Sequence, residues 1–299
     1  MRASFQAGRR LSVRAGVVAL VTVVGAGAAL AGCGGSSDTS GGSDGGSSAS
    51  GSVDTQLALV GYSTPKKAYE ALTSAFQQTS AGKGVGFSQS FGASGSQSRA
   101  VDSGQNADVV AFSTTPDMTR LVKDGIVSNN WDANPEKGMS SDSVVVFVVR
   151  KDNPKHITSW NDLIKPGVDV ITPNPSTSGS ARWNILAGYG AQLKEGKTPA
   201  QALDYVKTLL TKNVSVQDSS ASNALNTFTS GKGDVLLDYE SDAIAAQNAG
   251  DKIQYIVPKQ TLLIETPIAV TSKSKHASDS QAFLSWQWSA SGQKIWAQQ

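Results

Sequence analysis

The chain has 299 residues, of which 39% are hydrophobic and 17% are charged, and its formal net charge is +2 at pH 7. These values fit one or two globular domains with a packed core, and they argue against a nucleic-acid-binding protein, which usually carries a basic stripe. A single cysteine excludes an intrachain disulfide, and two histidines are too few for most metal or proton-relay sites built from several histidines.

Residues 1–32 have the pattern of an export signal that ends at a lipidation site. Four arginines within the first 14 residues precede an uncharged apolar run at 15–31. Basic residues followed by a short apolar segment are typical of a secretory signal. The run ends in Leu30-Ala31-Gly32-Cys33, which resembles the bacterial lipobox, so we expect Cys33 to receive a diacylglycerol. A transmembrane anchor with an incidental cysteine is the disfavoured alternative, because the run is short and rich in Gly and Ala.

Residues 33–53 predict the lipidated cysteine followed by a flexible tether. Positions 34–52 are almost entirely Gly and Ser, with two aspartates. Such a composition cannot bury a core and behaves as a flexible linker. The signal, the anchor and the tether together predict an exported protein that is held at the outer face of the cell membrane through Cys33.

From Gln56 onward the sequence repeats one unit, which is a short apolar strand, a loop of small residues and then a helix. Strands are predicted at 57–61, 85–91, 108–112, 143–150, 168–172, 214–217 and 235–238. Helical spacing of apolar residues predicts helices at 65–79 and 97–103, and further helices after the loops at 113–116, 173–180, 218–223 and 239–241. Strands that alternate with helices imply an α/β fold with largely parallel sheets, in which ligands bind beyond the carboxyl ends of the strands.

Five of these loops are rich in Ser, Thr and Gly and carry almost no charge. They cover 63–65, 92–96, 113–116, 173–180 and 218–223, and Asp218 is their one charged residue. A helix start offers unpaired N–H groups and the positive end of the helix dipole, so several converging starts bind an anion without a cationic side chain. Sulfate needs donors only, whereas a protonated phosphate also needs an acceptor. The simpler interpretation, that Ser and Thr only cap helices, holds about equally well for any single loop.

Three motifs carry a resemblance to a known family. Residues 153–155, 160–168, 171–175, 177–179 and 181–184 resemble the signature NPK…WxDLIxPGVxVITPNPxTSGGARWN. Residues 92–95 with 99–101 resemble GGSGxQxRAV, and 233–236 with Glu240 resemble GDVLxxWENE. On these residues, the body from Thr55 to Gln299 resembles the bacterial sulfate/thiosulfate-binding proteins of ABC importers. The family usually continues into further helices beyond the position of Gln299.

The resemblance implies an α/β fold of the type II periplasmic-binding-protein kind, with two lobes, a mostly parallel sheet in each lobe and a hinge between them. Lobe 1 is expected to comprise 54–142 and 258–299, and lobe 2 to comprise 143–257. The segments 143–150 and 256–270 are the predicted crossings between the lobes.

The resemblance also implies which residues hold the anion in the cleft without counter-charges. Ser94 would donate its backbone N–H and its hydroxyl, and Ser178 its hydroxyl. Gly179 and Ser180 would donate backbone N–H groups at a helix start, and Ala221 would donate its backbone N–H.

Three positions depart from the family pattern, and they concern the identity of the anion more than anion binding itself. Ser63 stands where the family has the aspartate of its SYDPT motif, and Tyr239 stands where the family often has a tryptophan that donates its indole N–H. Ser180 replaces a glycine. Nearby, we expect Arg182 to brace a loop through Glu240 or Asp218.

The sequence therefore predicts a monomeric solute-binding lipoprotein that captures sulfate or thiosulfate and delivers it to the permease subunits of an ABC importer. No cofactor, metal or catalytic residue is expected. The nearest alternative keeps the fold and binds molybdate, tungstate or phosphate. A surface lipoprotein hydrolase is a different class, which would need a nucleophile beside a base, and neither His156 nor His276 is near a plausible serine loop. A structural adhesin or scaffold is the third alternative.

Overall fold

The structure is a computed structural model, and it describes residues 53–299. The predicted export signal, Cys33 and the tether up to residue 52 lie outside the described residues, so they stay predictions. No helix within residues 53–299 is long and apolar enough to cross a membrane.

Strands and helices alternate along the chain as the repeated unit predicts. The strands are β1 Thr55–Tyr62, β2 Val85–Gly92, β3 Val109–Ala111, β4 Met139–Arg150, β5 Val170–Pro173, β6 Val214–Asp218, β7 Val235–Tyr239, β8 Ile253–Ile256 and β9 Leu263–Val270. The α-helices are α1 Lys66–Phe76, α2 Ser94–Asp102, α3 Thr115–Lys123, α4 Gly179–Lys194, α5 Pro199–Thr208, α6 Ala221–Thr229, α7 Glu240–Asn248, α8 Ala277–Gln287 and α9 Ala290–Trp296. A 3₁₀ turn covers Trp160–Ile164, and a π-helical turn covers Leu209–Asn213.

The strands form two lobes, as the resemblance implies. In lobe 1 the strand order is β2-β1-β3-β9, with β1 parallel to β2 and β3 and with β9 antiparallel to β3. In lobe 2 the order is β4-β7-β5-β6, with β5 parallel to β6 and β7. Strand β4 is antiparallel to β7 and β8. Each lobe thus has a parallel core, and antiparallel strands complete it where the chain passes between the lobes.

A two-stranded antiparallel connection joins the lobes. The first half of β4 pairs with the first half of β9, from Met139 opposite Pro267 to Val144 opposite Leu263. The second half of β4 continues into the lobe 2 sheet, and the last residues of β9 continue into the lobe 1 sheet. Strand β4 begins four residues before the predicted 143–150, and these added residues belong to the connection between the lobes. We call the paired segments 139–144 and 263–267 the hinge ribbon.

Each lobe has its own apolar core, which keeps the loops at its strand ends in fixed positions. The largest lobe 2 core packs around Trp160, whose ring meets Phe147 edge-on with 4.9 Å between ring centroids. A lobe 1 core contains Tyr69 and Phe76, and the partly buried Trp296 packs against it. Burial of each large apolar side chain contributes about 1.5–3 kcal/mol, so the two lobes are separately stabilised bodies.

Candidate functional site

A small cavity lies where the loops of the two lobes meet, and we call it the cleft cavity. It comprises about 170 Å³ of space not filled by protein atoms, part of which is open to solvent. Its lining comprises Tyr62, Ser63, Thr64, Gly92, Ala93, Ser94 and Ser113 from lobe 1 and Ser178, Ser180 and Ala221 from lobe 2. The structure therefore brings together five of the seven residues predicted to hold the anion.

Three helices begin at this cavity, and each is preceded by a residue with extended backbone. Ala93, Ser178 and Ser220 hold that conformation directly before α2, α4 and α6. Within residues 53–299, the backbone N–H groups of Ser94, Gly179 and Ala221 find no hydrogen-bond acceptor. Each is the first residue of its helix, where N–H groups have no intrahelical partner and the helix dipole is positive. The site thus has several donors and a positive potential without a free cation.

Gly179 lies at the contact between the lobes. A Cβ atom added there would overlap the Ser113 hydroxyl and would lie 2.9 Å from Thr114 Cγ2. Both neighbours belong to the loop after β3, in the opposite lobe. Only a residue without a side chain allows the start of α4 to approach that loop so closely.

The Ser94 hydroxyl is already engaged within the protein. It donates to Asp117 Oδ2 at 2.7 Å and accepts from the Ser113 N–H at 3.1 Å. Since its one hydrogen is used by Asp117, the structure contradicts the expectation that this hydroxyl donates to the anion. The backbone N–H of Ser94 is the donor that stays free.

Asp117 is a fully buried carboxylate behind the Ser94 loop, and the sequence did not single it out. Besides Ser94, it accepts from the Thr114 hydroxyl at 3.0 Å and from the guanidinium groups of Arg182 at 3.0 Å and Arg120 at 3.4 Å. Four donors compensate this buried charge, as a buried carboxylate requires. The expectation that Arg182 braces a loop was correct, but its partner is Asp117 rather than Glu240 or Asp218.

In the described part of the chain, four direct hydrogen bonds join the two lobes around the cavity. Arg182 to Asp117 is one of them, and the Gly95 N–H donates to the Thr177 carbonyl at 2.9 Å. The indole N–H of Trp183 donates to the Ser113 carbonyl at 2.7 Å. The fourth joins the Thr64 hydroxyl of lobe 1 to the Asp242 carboxyl of lobe 2. These contacts define a closed arrangement of the lobes.

Tyr239 does not line the cleft cavity, although the sequence predicted it as a ligand. Its side chain is 1% exposed and lines a larger cavity together with Tyr62 and Asp242. Burial, reinforced by Tyr62, raises the pKa of Tyr239 well above its ordinary value, and the nearby Ser113 hydroxyl opposes that rise. The phenol therefore stays neutral, and it lies close to the Ser113 hydroxyl.

Two buried carboxyl groups face each other beside the larger cavity. Asp238 is fully buried, and burial together with Asp242 raises its pKa well above the ordinary range. Burial also raises the pKa of Asp242 to about 6, against the influence of hydrogen bonds with Asp238 and Thr64. The Thr64 hydroxyl of lobe 1 donates to Asp242 Oδ2 of lobe 2 at 3.0 Å. The acceptor of this fourth inter-lobe bond is therefore a carboxyl group whose pKa is about 6.

Other reactive groups do not assemble into a site. Within residues 53–299, no group of three or more His, Cys, Asp or Glu side chains could hold a metal ion. His156 is exposed, and neither it nor His276 lines the cleft cavity.

Sequence reasoning missed Ser113 and Thr64 in the cavity lining. The loop 113–116 was among the predicted loops, because it follows a strand and precedes a helix, but Ser113 was given no ligand role. Thr64 likewise lay inside a predicted loop. Neither could be distinguished from a helix-capping hydroxyl without its contacts in space.

Two α/β lobes, joined by a pair of crossing strands and closed over a cavity at their helix starts, define the class of two-lobed solute-binding proteins. Residues 57–299 match the profile of the bacterial extracellular solute-binding proteins, and the chain belongs to this family. Its members act outside the cytoplasm, and the family is not an enzyme family.

Several relatives match most of the chain. It is 38% identical to a sulfate-binding protein of Synechococcus elongatus, over 92% of this chain and 78% of that protein. It is 40% identical to a sulfate-binding protein of Salmonella typhimurium, over 81% of this chain and 77% of that protein. The solved structure of the sulfate-binding protein SubI from Mycobacterium tuberculosis has a TM-score of 0.79 and 45% identity, and the match covers 82% of this chain and 85% of SubI.

Proposed function

We propose that this protein captures sulfate outside the cytoplasm and delivers it to an ABC importer. The observation that carries the proposal is the convergence of three helix starts with unpaired N–H groups on one cavity between the lobes. The sulfate-binding relatives and SubI, at 38–45% identity, support the same ligand class.

The donors at the cavity suit a ligand that carries two negative charges and no hydrogen. Backbone N–H groups of Ser94, Gly179, Ser180 and Ala221 and the hydroxyl of Ser178 are the proposed set. A hydrogen bond to a charged partner contributes about 1.5–3 kcal/mol. Five to seven such bonds offset the desolvation of the anion and leave about −8 kcal/mol, which corresponds to a micromolar dissociation constant.

The absence of a free carboxylate in the cavity lining favours sulfate over phosphate. A phosphate that keeps a proton near neutral pH needs an acceptor for it. Asp218, the one carboxylate in the predicted loops, is not among the lining residues. Asp117 lies behind Ser94, where its oxygens already accept from four groups. A protonated oxyanion would therefore find no free carboxylate to accept its hydrogen.

Capture proceeds by closure of the lobes about the hinge ribbon. The inter-lobe bonds of Gly95, Trp183, Arg182 and Thr64 form as the lobes meet, and the helix starts of both lobes then surround the anion. Hinge closure is a common response of two-lobed binding proteins to their ligands. The closed monomer then docks on the permease, while lipidated Cys33 and the tether keep it near the membrane. No catalytic step is part of this role.

Titration calorimetry of the purified protein with sulfate, thiosulfate, molybdate and phosphate tests the proposal. We expect micromolar or tighter binding of sulfate, with phosphate much weaker at neutral pH. Absence of heat and of any thermal stabilisation by sulfate and thiosulfate would refute this ligand class. Tighter binding of molybdate than of sulfate would reassign the protein to another oxyanion.

A further inference from the structure

Ser113 is a cavity residue to which the sequence assigned no role. It follows β3 in lobe 1 and is 1% exposed. Its backbone is held from both lobes, since its N–H donates to Ser94 Oγ at 3.1 Å and its carbonyl accepts from the Trp183 indole at 2.7 Å. The backbone of Ser113 is therefore held in place in the closed arrangement.

Among residues 53–299, no group stands at hydrogen-bonding geometry to the Ser113 hydroxyl, although the Tyr239 hydroxyl is close enough to interact with it. A buried hydroxyl without a partner destabilises a fold, so its retention in the cavity lining calls for a ligand. The oxygen lies against Gly179 at the start of α4, where an added Cβ atom would overlap it. It is thus close to the N–H groups that are proposed to collect the anion.

We infer that the hydroxyl of Ser113 donates a hydrogen bond to the bound oxyanion. The inference rests on the proposed function and deepens it. Ser113 supplies a donor from lobe 1, opposite the start of α4 in lobe 2, so the anion itself links the two lobes. Because both backbone groups of Ser113 are already bonded, the side chain is the part of the residue that is free to bind.

Tyr239 is the competing partner for this hydroxyl. Its own hydroxyl also lacks a hydrogen-bond partner in the described part of the chain, and it lies close to Ser113. If Ser113 served only Tyr239, loss of either hydroxyl would have the same effect. The two substitutions Ser113→Ala and Tyr239→Phe therefore separate the two roles.

The test compares Ser113→Ala with a matched control, Ser280→Ala. Ser280 lies on α8, is fully buried and also has an unpaired hydroxyl, but it is not among the residues that line the cavity. We expect Ser113→Ala to weaken sulfate binding about 10- to 100-fold in titration calorimetry. Its melting temperature without sulfate should stay equal or rise, because an unpaired hydroxyl is removed. Ser280→Ala should bind sulfate as the wild type does, and Tyr239→Phe should lose less affinity than Ser113→Ala.

The outcomes separate the inference from the function on which it rests. If wild type and Ser113→Ala bind sulfate equally, the inference is wrong and the proposed function stands. Equal losses in Ser113→Ala and Tyr239→Phe would also overturn it, as would a lower melting temperature of Ser113→Ala without sulfate. If the wild type binds no oxyanion, the proposed function fails and the inference fails with it.

Discussion

Gly179→Ala is the substitution that most directly tests closure of the lobes. The new Cβ atom would lie 2.9 Å from Thr114 Cγ2 and 3.2 Å from Ser113 Cβ, and it would overlap the Ser113 hydroxyl, whereas ordinary contacts begin at 3.4 Å. Ser113 and Thr114 are 1% and 4% exposed, so they have little room to move. We expect the start of α4 to be pushed away from lobe 1.

The expected loss follows from the bonds that this displacement breaks. The N–H groups of Gly179 and Ser180 would no longer reach an anion held by lobe 1. Two hydrogen bonds to a charged ligand are worth about 3–6 kcal/mol, so sulfate affinity should fall at least about 100-fold. The unliganded protein should keep its melting temperature or gain slightly, because Ala costs less conformational entropy than Gly in a helix.

Gly190→Ala provides the matched control on the same helix. An added Cβ atom at Gly190 meets no atom within 4 Å. It should stabilise the protein by about 0.5–1 kcal/mol and leave sulfate affinity unchanged. Calorimetry and thermal unfolding of both variants, with and without sulfate, make the comparison. Wild-type affinity in Gly179→Ala would refute the closed geometry and the assignment of α4 to the anion.

Three further substitutions test separate parts of the site. The buried carboxyl of Asp242 has a pKa of about 6 in the folded protein, against an ordinary value of 3.8. Its ionisation therefore destabilises the fold by an amount that grows as the pH rises between those two values. Asp242→Asn should accordingly stabilise the protein by up to about 3 kcal/mol near pH 7.5 and by almost nothing below about pH 4. Thermal unfolding across this pH range measures the difference, and a pH-independent effect would contradict the titration of Asp242. Trp183→Phe removes the hydrogen bond to the Ser113 carbonyl and should weaken sulfate binding about 5- to 10-fold in calorimetry. An unchanged affinity would contradict a contribution of this bond to closure. Asp117→Ala leaves two guanidinium groups without their carboxylate and should destabilise the protein by about 3–5 kcal/mol in urea unfolding, and wild-type stability would show that the network contributes little.

Local sequence patterns predicted the elements and the loops that form the cavity. Small residues between a strand and a helix can be recognised in the sequence, and parallel strands place such loops at one edge of a sheet. The same patterns could not rank the residues within a loop. The sequence predicts a helix-capping hydroxyl at both Ser94 and Ser113. In the structure the Ser94 hydroxyl is bonded to Asp117, whereas the Ser113 hydroxyl is unpaired. That difference depends on partners 19 or more positions away.

By itself, the sequence determined the α/β class, the family resemblance and the near absence of charge in five loops, and it predicted an anchored, exported protein. These properties depend on local composition and spacing, which folding does not alter. Only the tertiary structure decided that Arg182 pairs with Asp117, 65 positions away, that Tyr239 lies close to Ser113, and that Gly179 meets the opposite lobe. Each of these contacts crosses the cleft or joins separate loops, so it exists only once the hinge ribbon has brought the two lobes together.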